Sequence, residues 1–382
     1  MKPILRLLLV CGLTTLTSSA QAFDLWGSVK GLVGVDKSAE KPQEQVTPTQ
    51  AEGAPLSPTA LDTAPAVVDL DPATFAEKRM WPRDDLAAIN KVVVGGFRVA
   101  FVVKAVASDS IRASYMPGGL HKSGVNSKIE LTLAGVDLPR MQAIVDRAYQ
   151  DFLAQLGRKG VSLIPYQDFA AHPSFTEISA AKQEDGKPYT VSHEGRTYIV
   201  LAPTGVKLWF DQAEPLGDQG AFGWNNGRRA ADFGYDNKAL ILNPLMVVDF
   251  AETASGRNKG LFGVRNESDV EARAGMSLSK NLSVLQVRGR VAPIASAIMG
   301  GTVALKEQVL FAGRFGQLRM GEVDSNRGLV VGLALVGLSG GPVRTNQKGV
   351  MLADAGRYEE YAGNLLFSGN RLFARVMGDL YN

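Results

Sequence analysis

Apolar residues along the chain follow two rhythms, one with a period of two and one with a period of about 3.6. The segment from Lys91 to Lys104 is apolar on both parities in its first and last thirds, which predicts a strand covered on both faces. Gly95-Gly96 interrupts it, as a bulge or a close backbone approach would. From Ser127 to Leu133, Ile129, Leu131 and Leu133 alternate with Lys128, Glu130 and Thr132, predicting a second strand. Asp137 then offers an N-cap and Pro139 a first turn. Met141, Ile144, Val145, Ala148, Tyr149, Phe152, Leu153 and Leu156 follow at spacings of three and four. That spacing predicts one apolar stripe on a helix about 20 residues long. Gly157 and Arg158-Lys159-Gly160 close it with a left-handed-tolerant residue and cations at the carbonyl end. Val161 to Pro165 re-enters the sheet.

Around this nucleus the pattern is weaker. Ala107 to Asn126 is polar and glycine-containing and reads as a loop. Tyr166 to Lys182 reads as a short helix broken by Pro173. Lys187–Val191 and Arg196–Leu201 flank His193-Glu-Gly195, a hairpin signal. Val206 to Phe210 is a further strand candidate. Residues 213–237 combine five glycines with Phe222, Trp224, Phe233, Tyr235, Arg228 and Arg229. They read as a connector pinned by its rings, with a binding lid as the alternative. Ala239–Phe250, Asp269–Ser277, Leu282–Arg288, Val303–Phe311 and Gly328–Leu338 are strand-like, and Lys348–Leu352 pairs with the last of them. Asp354 to Leu380 carries a second long apolar stripe, from Tyr358 to Met377, and closes the chain as a helix.

The predicted fold class is α/β (α+β), a mixed sheet packed by a long amphipathic helix and a C-terminal helix, with additional antiparallel strands. At 382 residues, 45% hydrophobic and 21% charged, the chain is ordinary globular material for one large domain or two smaller ones. Its formal net charge of +3 argues against nucleic acid as a partner. Residues 1–22 pair a basic start (Lys2, Arg6) with an apolar core and Ala20-Gln21-Ala22, the pattern of a cleaved secretory signal. The single cysteine, Cys11, lies inside that segment. Val10 stands where a lipid-attachment motif wants a small residue, and cleavage after Ala22 leaves a mature chain without thiols. Residues 23–68 hold an apolar patch containing Phe23, Leu25 and Trp26, then a Pro-rich tether with no periodicity. The patch suits docking to a protein partner or a membrane surface. Residues 69–382 form the folded domain, and 255–290 offers a boundary within it.

Candidate chemistry is sparse. Gly337-Leu-Ser-Gly-Gly-Pro-Val343 matches G-x-S-x-G and resembles the nucleophile segment of chymotrypsin-like proteases, which would make Ser339 a nucleophile and His172, in Phe169-Ala-Ala-His172, its base. Leu338 replaces the acidic or amide residue of that segment, and no histidine follows Ser339, as the α/β-hydrolase order requires. Two strands joined by a glycine-rich turn account for the same residues. The three histidines, His121, His172 and His193, show no metal-binding spacing, and no glycine pattern fits a nucleotide. No cofactor or metal is expected. If a ligand site exists, Trp224, Arg228 and Arg229 have the chemistry for it.

In layout, residues 90–290 resemble the curli-secretion-lipoprotein and TolB amino-terminal type of domain. The shared order is an apolar strand (Lys91–Lys104), a long helix (Leu138–Leu156), Gly-then-strand (Gly160–Pro165), a shorter helix around Arg228–Gly234, and a strand (Ala239–Phe250) with another after a polar turn. The resemblance implies a periplasmic α/β module working at the cell envelope with a protein partner, as a monomer or an oligomer. A pore is a further alternative, but Lys187–Leu201 is too short for the ~9–11 residues per strand that a bilayer requires.

Overall fold

A computed structural model describes residues 62–79, 89, 91–111, 114–115, 121–122, 125–183, 186–211, 214, 216–217, 223–259, 265–290, 298–325 and 343–381. The sheet is organised around β10 (Ala239–Lys259), a strand of 21 residues. One edge of β10 carries two parallel neighbours in succession, β2 (Lys91–Val94) and β3 (Arg98–Ile111). The other edge carries two antiparallel ones, β11 (Arg265–Leu278) and β12 (Val284–Arg290).

The first edge changes partner between Leu242 and Leu245 and the second between Leu245 and Val248, so the two breaks are staggered about Leu245. Beside β2 runs the two-residue β7 (Ser162–Leu163). Beside β3 run β9 (Arg196–Leu201) and then β6 (Val125–Ala134), which continues to β16 (Val343–Ala353) and the edge strand β15 (Gly316–Ser325). β8 (Tyr189–His193) completes the hairpin with β9. On the other side β12 continues to β13 (Ile298–Leu305) and β1 (Ala76–Arg79), while β11 pairs with β14 (Val309–Phe311). A separate two-stranded ribbon is formed by β4 (Ser114–Tyr115) and β5 (His121–Lys122).

The double-parity apolar run has a direct cause. Val92, Val94, Leu240 and Leu242 join the core beneath two long helices, α2 (Leu138–Arg158) and α6 (Ala355–Tyr381). Val93, Ala239 and Ile241 face the opposite layer, where α3 (Tyr166–Ala170), α4 (Pro173–Thr176) and α5 (Gly223–Asn237) supply Phe169, Phe175 and Phe233. Phe169 makes edge contacts with Phe175 at 4.9 Å and with Phe233 at 5.0 Å. A Cβ on Gly95 would come within 2.7 Å of the Ile241 side chain, and one on Gly96 within 3.0 Å of the Trp209 indole. The glycine pair is therefore a close approach between layers.

Helix α2 starts as predicted, with the Asp137 carboxylate accepting from the Arg140 amide at 3.0 Å. Met141, Ile144, Val145, Ala148, Tyr149, Phe152 and Leu156 are all buried. Its contact with α6 is completed by Asn370, whose side-chain amide donates to the Ala148 carbonyl and the Asp151 carboxylate.

Several segments depart from the sequence expectation. Within the polar stretch Ala107–Asn126 the described residues are strand: β3 runs on to Ile111 and pairs with the start of β6 at Val125, and 114–115 and 121–122 form the β4–β5 ribbon. Val206–Phe210 is not a strand. Trp209 donates to the Gly95 carbonyl at 3.0 Å and Lys207 bridges the Phe175 and Ile178 carbonyls, so these residues bond across layers. Much of the glycine-aromatic connector is helix α5. Val303–Phe311 divides into β13 and β14 at Lys306-Glu307-Gln308, and Gly328–Leu338 and the 23–34 patch lie outside the described residues.

The tether ends earlier than residue 68. Asp62 to Leu70 is an extended strap on α6, followed by the single turn α1 (Pro72–Phe75). Tyr361 donates to the Thr63 carbonyl, Asn364 to the Pro65 carbonyl, and the Val68 amide to Ser368 Oγ. Arg371 reaches Asp69, and Arg375 reaches the Leu70 carbonyl. Strap and helix partners advance together because an extended chain from 63 to 70 and a helix from 361 to 375 both span roughly 21–23 Å. All described residues belong to one compact unit, and the strands around 255–290 share its sheet.

Candidate functional site

His172 sits at the N-cap of α4, where Pro173 occupies the first helical position. Its Nδ1 accepts from the Ser174 amide at 3.3 Å and lies 2.8 Å from Ser174 Oγ. Because Nδ1 is an acceptor, the ring proton is on Nε2, which lies 3.2 Å from Asp236 Oδ2. The ring also stands edge-on to Phe233 at 5.2 Å. Both nitrogens are thus engaged in holding α4 against α5, and neither is left to take a proton from a second serine. Ser339 lies outside the described residues.

The arginines of α5 diverge. Arg228 is exposed, whereas Arg229 is half-buried between Glu177 and Asp232. Asp232 also pairs with Arg290 of β12, whose guanidinium lies 5.8 Å from the centre of the Tyr235 ring. Neighbouring helical positions point about 100° apart, so one residue faces the ladder and the next faces water. Trp224 falls in the first turn of α5, and its side chain lies outside the described part.

The most polar part of the interior was not singled out from sequence. Arg98, 1% exposed, meets the fully buried Glu214 in a two-pronged ion pair, with Nη2 donating to Oε1 at 2.7 Å and Nη1 to Oε2. Arg98 also donates to the Trp209 and Asn243 carbonyls and lies over the Phe210 ring at 5.2 Å. Asp211 donates its amide to Glu214 and accepts from Arg288 Nε at 2.5 Å. Asn226 of α5 bonds to the Phe210 carbonyl. Desolvation pushes the Glu214 carboxyl up, against the pull of Arg98. One signal was available: a charge inside a strand buried on both faces demands a partner. This knot ties β3, β10, β12 and α5 to Trp209, Asp211 and Glu214, with its charges already paired. Its arrangement is structural.

A second ion pair, with its carboxylate buried and its guanidinium partly so, lies beside a register shift in β10. Arg196 Nε donates to Asp249 at 2.6 Å, and the ladder between β10 and β11 shifts register between Asp249 and Ala251. Burial raises the Asp249 carboxyl despite Arg196. The hydroxyls of Tyr198 and Tyr358 are also raised, chiefly by burial, and neither has a hydrogen-bond partner among the described residues.

Beyond this shift the sheet continues as paired arms. β3 and β10 are parallel, and β16 is parallel to β6. Strand polarity therefore points the C-terminal ends of β3, β10 and β15 toward one end of the sheet. In the β10–β11 pair the arm runs from Ala251 to Lys259 and back from Arg265 to Ala274. In the β10–β11 register, Glu252, Ala254 and Gly256 stand opposite Arg273, Glu271 and Asp269, while Thr253 and Ser255 stand opposite Ala272 and Val270. Charge in this part of the arm keeps to one parity.

Among the described residues, no cluster of three or more His, Cys, Asp or Glu residues is placed to hold a metal, and no helix is long and apolar enough to cross a membrane. Comparison with family models, curated proteins and solved structures finds no match.

Proposed function

We propose that this chain is a non-catalytic protein of the bacterial envelope, exported by a cleaved signal peptide and acting in the periplasm as an assembly or accessory factor of an envelope or secretion structure. The observation that carries this reading is strand polarity, which points the C-terminal ends of β3, β10 and β15 toward one end of a helix-packed sheet. Long paired strands present backbone and side chains to a partner with little loss of conformational entropy on binding. The Pro-rich segment before the strap supplies reach, and the layout resemblance to curli-secretion and TolB-type domains points to the same compartment. Cross-linking in cells followed by capture of the full chain is the test. The expected result is an envelope protein whose recovery drops when residues 252–272 are replaced by a short Gly-Ser turn. Recovery of the same partner by the shortened protein, or of none by either, counts against the reading.

Strand length favours a second reading, as an outer-membrane pore component. The β10–β11 arm beyond the register shift, Ala251–Lys259 paired with Arg265–Ala274, is about as long as the ~9–11 residues that a tilted strand needs to cross a bilayer. Retention in the membrane fraction after alkaline washing, with conductance in planar bilayers, is expected of a pore; complete release by the wash is not. The hydrolase reading, with Ser339 and His172, is opposed by the engagement of both His172 nitrogens. An active-site serine probe that labels the chain but not Ser339→Ala would reinstate it.

A further inference from the structure

Helix α2, helix α3 and the turn Pro203–Val206 enclose an open cavity of about 350 Å3. Its wall includes Asp146, Tyr149, Gln150, Tyr166, Gln167 and Thr204. The turn is closed by the Val206 amide on the Pro203 carbonyl at 2.9 Å, with Gly205 at a φ of +79°. Asp146 fixes the turn to α2: its carboxylate accepts from the Thr204 amide at 2.7 Å, from Thr204 Oγ1 at 2.8 Å and from Gln142 at 3.0 Å.

Both tyrosine rings are held from behind. Tyr166 makes edge contacts with Phe169 and Phe175, and Tyr149 lies 5.5 Å from Phe97. Tyr166 Oη already accepts from the Lys207 amide at 2.9 Å, so its own hydrogen is free to be donated. Burial, with Tyr166 nearby, pushes the Tyr149 hydroxyl up to about 12, so it stays protonated at physiological pH. The amides of Gln150 and Gln167 stand at the exposed rim. A second cavity of about 500 Å3 continues past Val206 along Gln142, Leu201 and Ala202.

The lining narrows the choice. The one acidic or basic side chain of the first lobe is Asp146, already committed to the turn, and the second lobe adds the single cation Lys187. The phenols and amides suit neither a purely apolar ligand nor a bare cation. What they satisfy is a ligand that carries several hydroxyls and flat apolar patches and is long enough to enter both lobes. We infer that the groove binds a neutral oligosaccharide, one sugar ring against Tyr149 and Tyr166 and the chain continuing past Val206. This goes beyond the proposed envelope role and rests on different residues, so either can fail alone.

Calorimetry or ligand-observed NMR on the full chain tests it with the N-acetylglucosamine trimer, with maltotriose and with an anionic trigalacturonate. Saturable binding of a neutral trimer is expected, and the two neutral probes separate an amino-sugar glycan from a plain hexose chain. Gln150→Ala and Tyr149→Phe are each expected to weaken that binding about tenfold while melting temperature and circular dichroism stay close to those of the parent. No saturable binding of either neutral trimer at millimolar concentration overturns the inference. So does trigalacturonate binding as tightly, or affinity untouched by both substitutions.

Discussion

Helix α5 stands between two arginine–carboxylate networks built from the same chemistry, which differ most at the Arg98–Glu214 pair of one and the Arg229–Glu177 pair of the other. On its inner side Arg98, Glu214, Asp211 and Arg288 form the knot, where the Arg98 and Glu214 side chains are essentially sealed from water. On its outer side Glu177, Arg229, Asp232 and Arg290 form a ladder in which Glu177 is 53% exposed. β12 takes part in both, through Arg288 and Arg290. Removing a charge from water costs several kcal/mol, and only good geometry recovers it. At the surface the cost and the gain are both small and salt screens what is left. Solvent access, and not the number of ion pairs, decides which network the fold depends on.

The sharpest way to break this comparison is to remove one partner of the knot. Arg98→Met or Glu214→Gln alone is expected to cost about 3–5 kcal/mol in denaturant unfolding, because each leaves a buried group uncompensated. The double change Arg98→Met with Glu214→Leu is expected to recover most of that loss. Next in size is Gly95→Ala, whose new methyl meets Ile241 and approaches the Asn243 amide. Overpacking there is expected to cost about 1–3 kcal/mol, read as a lowered denaturant midpoint.

Acidity gives a third and smaller test. Burial raises the folded-state value of Glu214, so its contribution is fully present below the ordinary carboxylate value of 4.5 and is lost as pH rises through the raised one. Denaturant midpoints measured upward from pH 4.5 should decline in the parent and decline less in Glu214→Gln. Asp249 acts in the same direction and should leave a residual slope in that variant. The smallest effect is expected in the ladder. Arg229→Ala should change stability by no more than about 1 kcal/mol, with the difference shrinking as salt is added. A loss as large as that of the knot variants would erase the distinction between the networks.

What the sequence revealed follows the same division between apolar and polar packing. Helix α2 was legible to its cap because seven buried side chains repeat at helical spacing. The first half of β10 was legible because both of its faces are covered. Helix α5 was obscured by its glycines and asparagines, which have weak helix propensity. It forms because Asn226, Ala230 and Phe233 are buried at helical spacing, and because Gly227 lets the Asp211 carboxylate come close. Most of β11 was legible as Asp269–Ser277, but the second half of β10 and β15 were hidden because ladders of polar residues are set by backbone pairing, which leaves little hydrophobic signature. At the candidate sites, isolated residues could be named but their partners could not. His172 meets Asp236, which lies 64 positions away in the chain. Tyr149 and Tyr166 converge only because α2, β7 and α3 fold back on one another.

The strap on α6 has a mechanical consequence. Its five attachments, from Thr63 to Leu70, are distributed along the helix axis. A tug on Asp62 directed along that axis would, once its bonds to Arg314 gave way, strain them all at once, in shear. The same tug directed away from the helix would break the Arg314 bonds and then peel the five one by one from Thr63. Whatever pulls on the leading segment, this domain resists best when hauled lengthwise, so the direction of the load decides whether the anchorage holds.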